Sequence, residues 1–194
     1  MGRTGRRPGE SGTQQAILDA ARAAFTEAGY DGATMRTIAR TAGVDPALVH
    51  HYFGTKEHLF VAAMQLPFDP ALIIPSLLAP GLDGLGERIV RLFVSIWDAP
   101  EAVSPFIGLL RGAMTHEKSA AMLREFVTSA IFGRVTAALD VDQPQFRANL
   151  VASQLIGMAF ARYILRIEPL ATVPSEKVVA TVAPTIQRYL TAPL

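Results

Sequence analysis

Between Thr34 and Leu59 the chain gathers Arg36, His50, His51, Tyr52 and Lys56 within a span rich in helix starts. These side chains do not assemble into a hydrolytic or redox constellation. His50, His51, His58 and His116 never stand at i and i+4 with an intervening glutamate, so the spacing of a helical zinc site is missing. What these types can do is recognise. A guanidinium and two imidazoles suit hydrogen bonds to base edges in a major groove, and a phenol and an ammonium suit phosphate oxygens.

The elements that must position them can be read from the same stretch. Ile38 and Ala39 lie at helical spacing from Ala42, and Gly43 follows where a left-handed residue closes a helix. Asp45 can cap the next helix with its carboxylate, and Pro46 at the first helical position lacks only an N–H that would have no partner. The second helix therefore carries Ala47 to Phe53, and Gly54-Thr55 ends it and starts a third at Lys56. Val44, Val49 and Phe53 recur about once per turn and are expected to face a core. Pro46, Ala47, Leu48, His50 and His51 fall largely outside that stripe. Together with Arg36 they form the expected base-contact set, while Thr34, Tyr52 and Lys56 form the expected phosphate set. The amides at the Thr34 and Thr55 helix starts add partial positive charge for the same anions.

This pattern resembles the tetracycline-repressor (TetR) family, whose DNA-binding region reads T-x-R-x-I-A-x-x-A-G-V, a short turn, then Y-x-F or close variants and K-E-x-L. Thr34, Arg36, Ile38, Ala39, Ala42, Gly43, Val44, Tyr52, Phe53, Lys56, Glu57 and Leu59 carry the likeness. Many members have a Ser-x-Gly start and a leucine-tyrosine pair in the recognition helix, where this chain has Asp45-Pro46-Ala47 and Val49-His50. The resemblance implies an all-α fold with an N-terminal three-helix helix-turn-helix domain and a C-terminal helical domain for ligand binding and dimerisation. It also implies a double-stranded DNA operator, a small-molecule effector and a homodimer.

Composition narrows the rest. With 194 residues, 50% of them hydrophobic, the chain can bury a sizeable core. A formal net charge of +1 excludes coating nucleic acid by bulk charge, so DNA contact must come from local placement. Arg3, Arg6 and Arg7 lie without acids in the first nine residues of an arm over residues 1–10, either a solvated tail or a phosphate- and minor-groove-binding arm. The absence of cysteine fits a reducing, cytoplasmic setting. No export signal is visible at the start, and prolines, Asp69, Asp83 and Arg162 interrupt every apolar run short of a membrane span.

Ser11 and Gln14 form a capping-box pattern, and Ile17, Ala21, Ala24, Phe25 and Ala28 repeat at helical spacing until Gly29. Residues 11–60 are the expected DNA-binding domain, centred on Phe25, Ile38, Val49 and Phe53, and residues 61–194 the expected effector-binding and dimerisation domain. Prolines 67, 70, 75 and 80 are expected to limit Leu66–Leu78 to short turns. A broad stripe follows over Leu85–Trp97, then helices from about Pro105 to Thr115 and from Lys118 to about Leu139. Phe93, Trp97, Phe106, Met114, Met122 and Phe126 either line a cavity for an apolar effector or are plain core. Arg111, Thr115, His116 and Arg162 are its candidate polar contacts. The last helices, roughly Pro144–Ile167 and Ser175–Thr191, combine small residues with apolar area and are the candidates for self-association.

No glycine-rich phosphate loop, G-x-S-x-G elbow or spaced carboxylate pair is present, so the expectation is a non-enzyme with no cofactor and no metal. The expected function is a DNA-binding transcriptional regulator, a repressor released from its operator by a small, largely apolar effector. The alternative is a helical small-molecule-binding protein with a vestigial DNA-binding module.

Overall fold

A computed structural model describes residues 10–138 and 141–194. The expected basic arm lies outside the described residues except for Glu10, and so does Leu139. Among the described residues all regular structure is helical: α1 (Glu10–Gly32), α2 (Met35–Ala42), α3 (Pro46–Phe53), α4 (Lys56–Met64), α5 (Pro70–Leu78), α6 (Leu85–Trp97), α7 (Pro100–Thr115), α8 (Glu117–Phe126), α9 (Gly133–Ala138), α10 (Pro144–Ala159) and α11 (Ser175–Thr191). Two π-helical segments, Val127–Phe132 and Phe160–Ile164, continue α8 and α10. No helix among the described residues is long and apolar enough to cross a membrane.

The chain divides into two compact units. The first contains α1–α4 and Pro105–Phe126, and the second contains Pro67–Ser104 and Val127–Leu194. In the first unit Ile17, Phe25, Ile38 and Val49 are fully buried, and Phe53 is 8% exposed. An aromatic cluster gives this core its mass. The Phe60 ring meets Phe25 edge-on at 4.9 Å, meets Tyr30 edge-on at 5.0 Å and stacks on Phe126 at 4.4 Å. Arg22 Nε donates to the Ala63 carbonyl at 3.0 Å and ties α1 to α4. The Asp31 amide donates to Glu125 of α8 at 3.0 Å.

In the second unit the core forms where α6, α10 and α11 meet, through Leu85, Val90, Val94, Val151, Met158, Val178, Val179, Ile186 and Leu190. Gly86 permits the tightest approach. A Cβ there would stand 2.6 Å from both the Ala183 carbonyl oxygen and the Gln187 nitrogen, so only glycine lets α6 lie this close to α11. Gln187 then accepts from the Gly86 amide at 2.8 Å and donates to the Leu82 carbonyl at 3.0 Å. Arg147, 1% exposed, donates to the carbonyls of Asp142, Tyr189 and Ala192 and to the Asp142 carboxylate.

The first helical run ends at Gly29 as expected, where φ 75° and ψ 177° are non-helical, and a further short helical piece runs on to Gly32. Other local expectations change. Val44 is half-buried rather than core. The proline-rich stretch makes a full nine-residue helix, α5, because Asp69 accepts from the Ala71 amide at 2.9 Å with Pro70 behind it, the same start used by Asp45 and Pro46. Pro75 inside it removes one hydrogen bond without ending the helix. The helix beginning near Lys118 passes into π geometry at Val127, and the one from Pro144 does so at Phe160.

Candidate nucleic-acid interface

The helix-turn-helix is built by three side-chain caps and one glycine. Thr34 Oγ1 accepts from the Thr37 amide at 3.1 Å, Asp45 Oδ1 from Ala47 at 2.8 Å and Thr55 Oγ1 from His58 at 3.1 Å. Each cap fixes where a helix begins to within a residue. Gly43, at φ 69°, closes α2: its amide donates to Arg40 and the Val44 amide to Ala39, at 3.2 and 3.0 Å. This paired closure requires a left-handed residue and sets the turn between α2 and α3.

Those constraints sort the faces of α3. Val49 and Phe53 point into the core, Leu48 and Tyr52 lie half-buried on the flank, and Pro46, Ala47, His50 and His51 are exposed. The exposed residues stand at i, i+1, i+4 and i+5, one stripe of a helix. Arg36 on α2 is exposed as well. The structure therefore leaves the whole expected base-contact set at least partly open to solvent, with Leu48 the most covered.

Two of these side chains are held. His50 Nδ1 lies 3.0 Å from the Gly54 carbonyl oxygen. The His51 ring meets Tyr52 at 5.5 Å. Of the expected phosphate set, Thr34 is committed to its cap and shares a 2.8 Å hydroxyl contact with Thr37. Lys56 is partly engaged too: its ammonium donates to the Asp31 carbonyl at 3.1 Å and sits 4.7 Å from the centre of the Tyr30 ring. Burial lowers its pKa below the ordinary lysine value, against the raising effect of Asp31 and Glu125.

The expected ligand set is divided between the units. Phe93 and Trp97 belong to the second, their rings 5.8 Å apart, and Tyr163, which sequence reasoning left out, stacks on Trp97 at 5.4 Å. The Tyr163 hydroxyl donates to Asp98 at 3.0 Å, and its pKa is raised to about 12, mainly by burial. Phe106, Met114, Met122 and Phe126 belong to the first unit, where Met122 and Phe126 are each 2% exposed and Met114 is 63% exposed. Of the candidate polar contacts, Arg162 is buried, its guanidinium donating to the carbonyls of Leu170 and Val173 and to the Ser175 hydroxyl. A separate cavity of about 310 Å³ between α6 and α11 is lined by Glu87, Arg91, Glu176, Ala183, Pro184 and Gln187 among others, and by none of the expected ligand set.

Sequence reasoning also missed Glu125 and Phe126 as supports of the helix-turn-helix unit. They lie far along the chain from Asp31 and Phe60, and helical periodicity carries no signal about which distant helix a residue meets.

Residues 17–63 match the family model described as bacterial regulatory proteins, tetR family, and residues 83–190 match the tetracyclin repressor-like C-terminal domain. The chain belongs to the TetR family. Among TetR relatives, the HTH-type transcriptional regulator BetI of Rhizobium meliloti (strain 1021) is 29% identical over 166 residues, covering 81% of each chain. The HTH-type transcriptional repressor AcnR of Corynebacterium glutamicum is 44% identical over 50 residues, 26% of this chain and 27% of its own. A solved TetR-family regulator from Streptomyces coelicolor A3 is 37% identical with a TM-score of 0.50, over 96% of this chain and 98% of that one. The multidrug binding protein EbrR, solved with imidazole, shares the fold at 19% identity and a TM-score of 0.51, over 93% of this chain and 96% of its own. As a TetR protein the chain is a DNA-binding transcriptional regulator, with a helix-turn-helix N-terminal domain followed by an all-helical C-terminal domain.

Proposed function

We propose that this regulator is a repressor that binds its operator as a homodimer and leaves it when a small, largely apolar effector occupies the helices of residues 61–194. The observation that carries the reading is the exposed stripe of α3. Pro46, Ala47, His50 and His51 face solvent while Val49 and Phe53 are buried, and a helix whose free face holds imidazoles and small apolar groups instead of Lys and Glu is suited to a groove. Arg36, Pro46, Ala47, Leu48, His50 and His51 read bases. Thr34, Tyr52 and Lys56 meet phosphates, with Lys56 offering the ammonium protons that Asp31 leaves free. Repression is favoured by the likeness over 50 residues to AcnR, itself named a repressor.

The last helices support the dimer: Phe146, Ile156 and Leu165 are all more than half exposed on the segment from Pro144 onward. Two recognition helices in one dimer then require half-sites about one helical turn apart, ~34 to 36 Å, and an effector that changes their separation by a few ångströms lowers affinity. Phe93 and Trp97, with Tyr163 beside them in the second unit, are the effector-lining residues in this reading, while Met122 and Phe126 serve the core of the first unit. In this reading the purified chain should sediment as a dimer and shift a duplex from its own upstream region, and hydrophobic small molecules should reverse the shift. A monomer that binds the duplex equally well with and without such molecules contradicts the proposal.

A further inference from the structure

The side chains of α3 capable of hydrogen bonding are His50, His51 and Tyr52; the others are Pro46, Ala47, Leu48, Val49 and Phe53. Tyr52 is half-buried, and His51 has no hydrogen bond to another described residue that would fix its protons. His50 differs from both. Its Nδ1 stands 3.0 Å from the carbonyl oxygen of Gly54, and that oxygen can only accept. Nδ1 must therefore carry the proton, and in the neutral ring Nε2 is left as a bare acceptor. The side chain is exposed and Nε2 has no partner among the described residues. The same carbonyl sets the ring plane, because Gly54 is held as the cap of α3 by its amide, which donates to the His50 carbonyl at 2.8 Å. His50 is thus a preset acceptor on the exposed stripe of the recognition helix.

In the major groove the donors on base edges are the N4 amine of cytosine and the N6 amine of adenine. Guanine offers N7 and O6, and thymine offers O4, all acceptors. A lone acceptor is attracted to the first pair and repelled by the second. We infer that His50 is a specificity-determining residue that reads an amino base, adenine or cytosine, and rejects a keto base, guanine or thymine, at one position of each operator half-site. The inference rests on the proposal that α3 enters the major groove, and it adds which chemical class of base the helix selects.

The test uses the full chain and a pool of random-sequence duplex DNA. Wild-type protein should enrich half-sites in which one position on one strand is adenine or cytosine, with guanine or thymine there bound about ten-fold more weakly. His50→Ala should flatten that position alone, His50→Gln should accept amino and keto bases alike because an amide both donates and accepts, and His51→Ala should keep the preference. The enriched duplex then supplies a chemical control. Replacing the adenine by purine, or the cytosine by 2-pyrimidinone, removes only the exocyclic amine; wild type should lose the same factor and His50→Ala should lose nothing. Circular dichroism and the thermal midpoint establish that each variant is folded, and His50→Gln serves if His50→Ala is not. A position whose preference depends on His50 but favours guanine or thymine overturns the inference, as does an amino-base preference that survives both substitutions. If wild type enriches no sequence, the operator-binding proposal fails as well, an outcome distinct from enrichment indifferent to His50.

Discussion

The ammonium of Lys56 sits 4.7 Å from the centre of the Tyr30 ring while donating to the neighbouring Asp31 carbonyl at 3.1 Å. A side chain that sequence reasoning assigns to phosphate thus also pins the start of α4 to the end of α1. Lys56→Ala is expected to lower unfolding free energy by about 1 to 2 kcal/mol, the worth of one hydrogen bond and one cation–π contact. It should also weaken binding to all duplexes alike and lower the salt slope by about one. Urea unfolding and fluorescence anisotropy at several salt concentrations separate the two roles. An unchanged slope with lowered stability leaves Lys56 as a purely structural residue.

Arg36 stands apart from this duty, being exposed on α2. Arg36→Ala should leave stability within about 0.5 kcal/mol and relax preference at one base position by about 1 to 3 kcal/mol. Equal loss on selected and random duplexes would place the guanidinium on phosphate instead.

Phe25 is fully buried against Phe60 and within 6.0 Å of Tyr30, so its removal opens a cavity in the core that carries the helix-turn-helix. Phe25→Ala should cost about 3 to 5 kcal/mol and abolish DNA binding by unfolding the first unit. A folded variant with altered base preference would show that Phe25 acts on specificity directly.

Gly86→Ala should destabilise the second unit by about 1 to 3 kcal/mol, since the added methyl meets backbone atoms of α11 that cannot rotate away. Scanning calorimetry reads this as a lower midpoint. No change would mean that α6 and α11 are not packed as closely as Gly86 permits.

Asp142 accepts from the buried Arg147, and that hydrogen bond holds its carboxyl below the ordinary aspartate value. Since the folded pKa is the depressed one, the stabilisation is present above the unfolded pKa of 3.8 and disappears as pH falls through the folded value. Asp142→Asn should therefore be less stable than wild type at pH 7 and lose less on acidification. Parallel acid-unfolding curves for the two proteins would contradict the pairing.

What was legible in the sequence follows from which forces are local. Gly43, the Asp45-Pro46 start and the Thr34 and Thr55 caps act within three or four residues, so α2, α3 and α4 could be placed from residue types. The fully buried Phe25, Ile38 and Val49 followed from period alone. Pro75 misled because a cap at Asp69 and packing of Ile74 hold α5 together despite one missing donor. The π segments after Phe126 and Ala159 shift register without a sequence marker. The contacts of Lys56 with Tyr30 and of Glu125 with Asp31 are long-range, and only the folded chain brings those groups together.

Competition between a duplex enriched from the random pool and a scrambled duplex of equal length, measured by anisotropy at physiological salt, tests most directly whether the exposed stripe of α3 reads sequence. The enriched duplex should bind at least about a thousand-fold more tightly, with that ratio reduced about ten-fold by His50→Ala and by Arg36→Ala. Equal affinity for the two duplexes, or a ratio untouched by both substitutions, would contradict it.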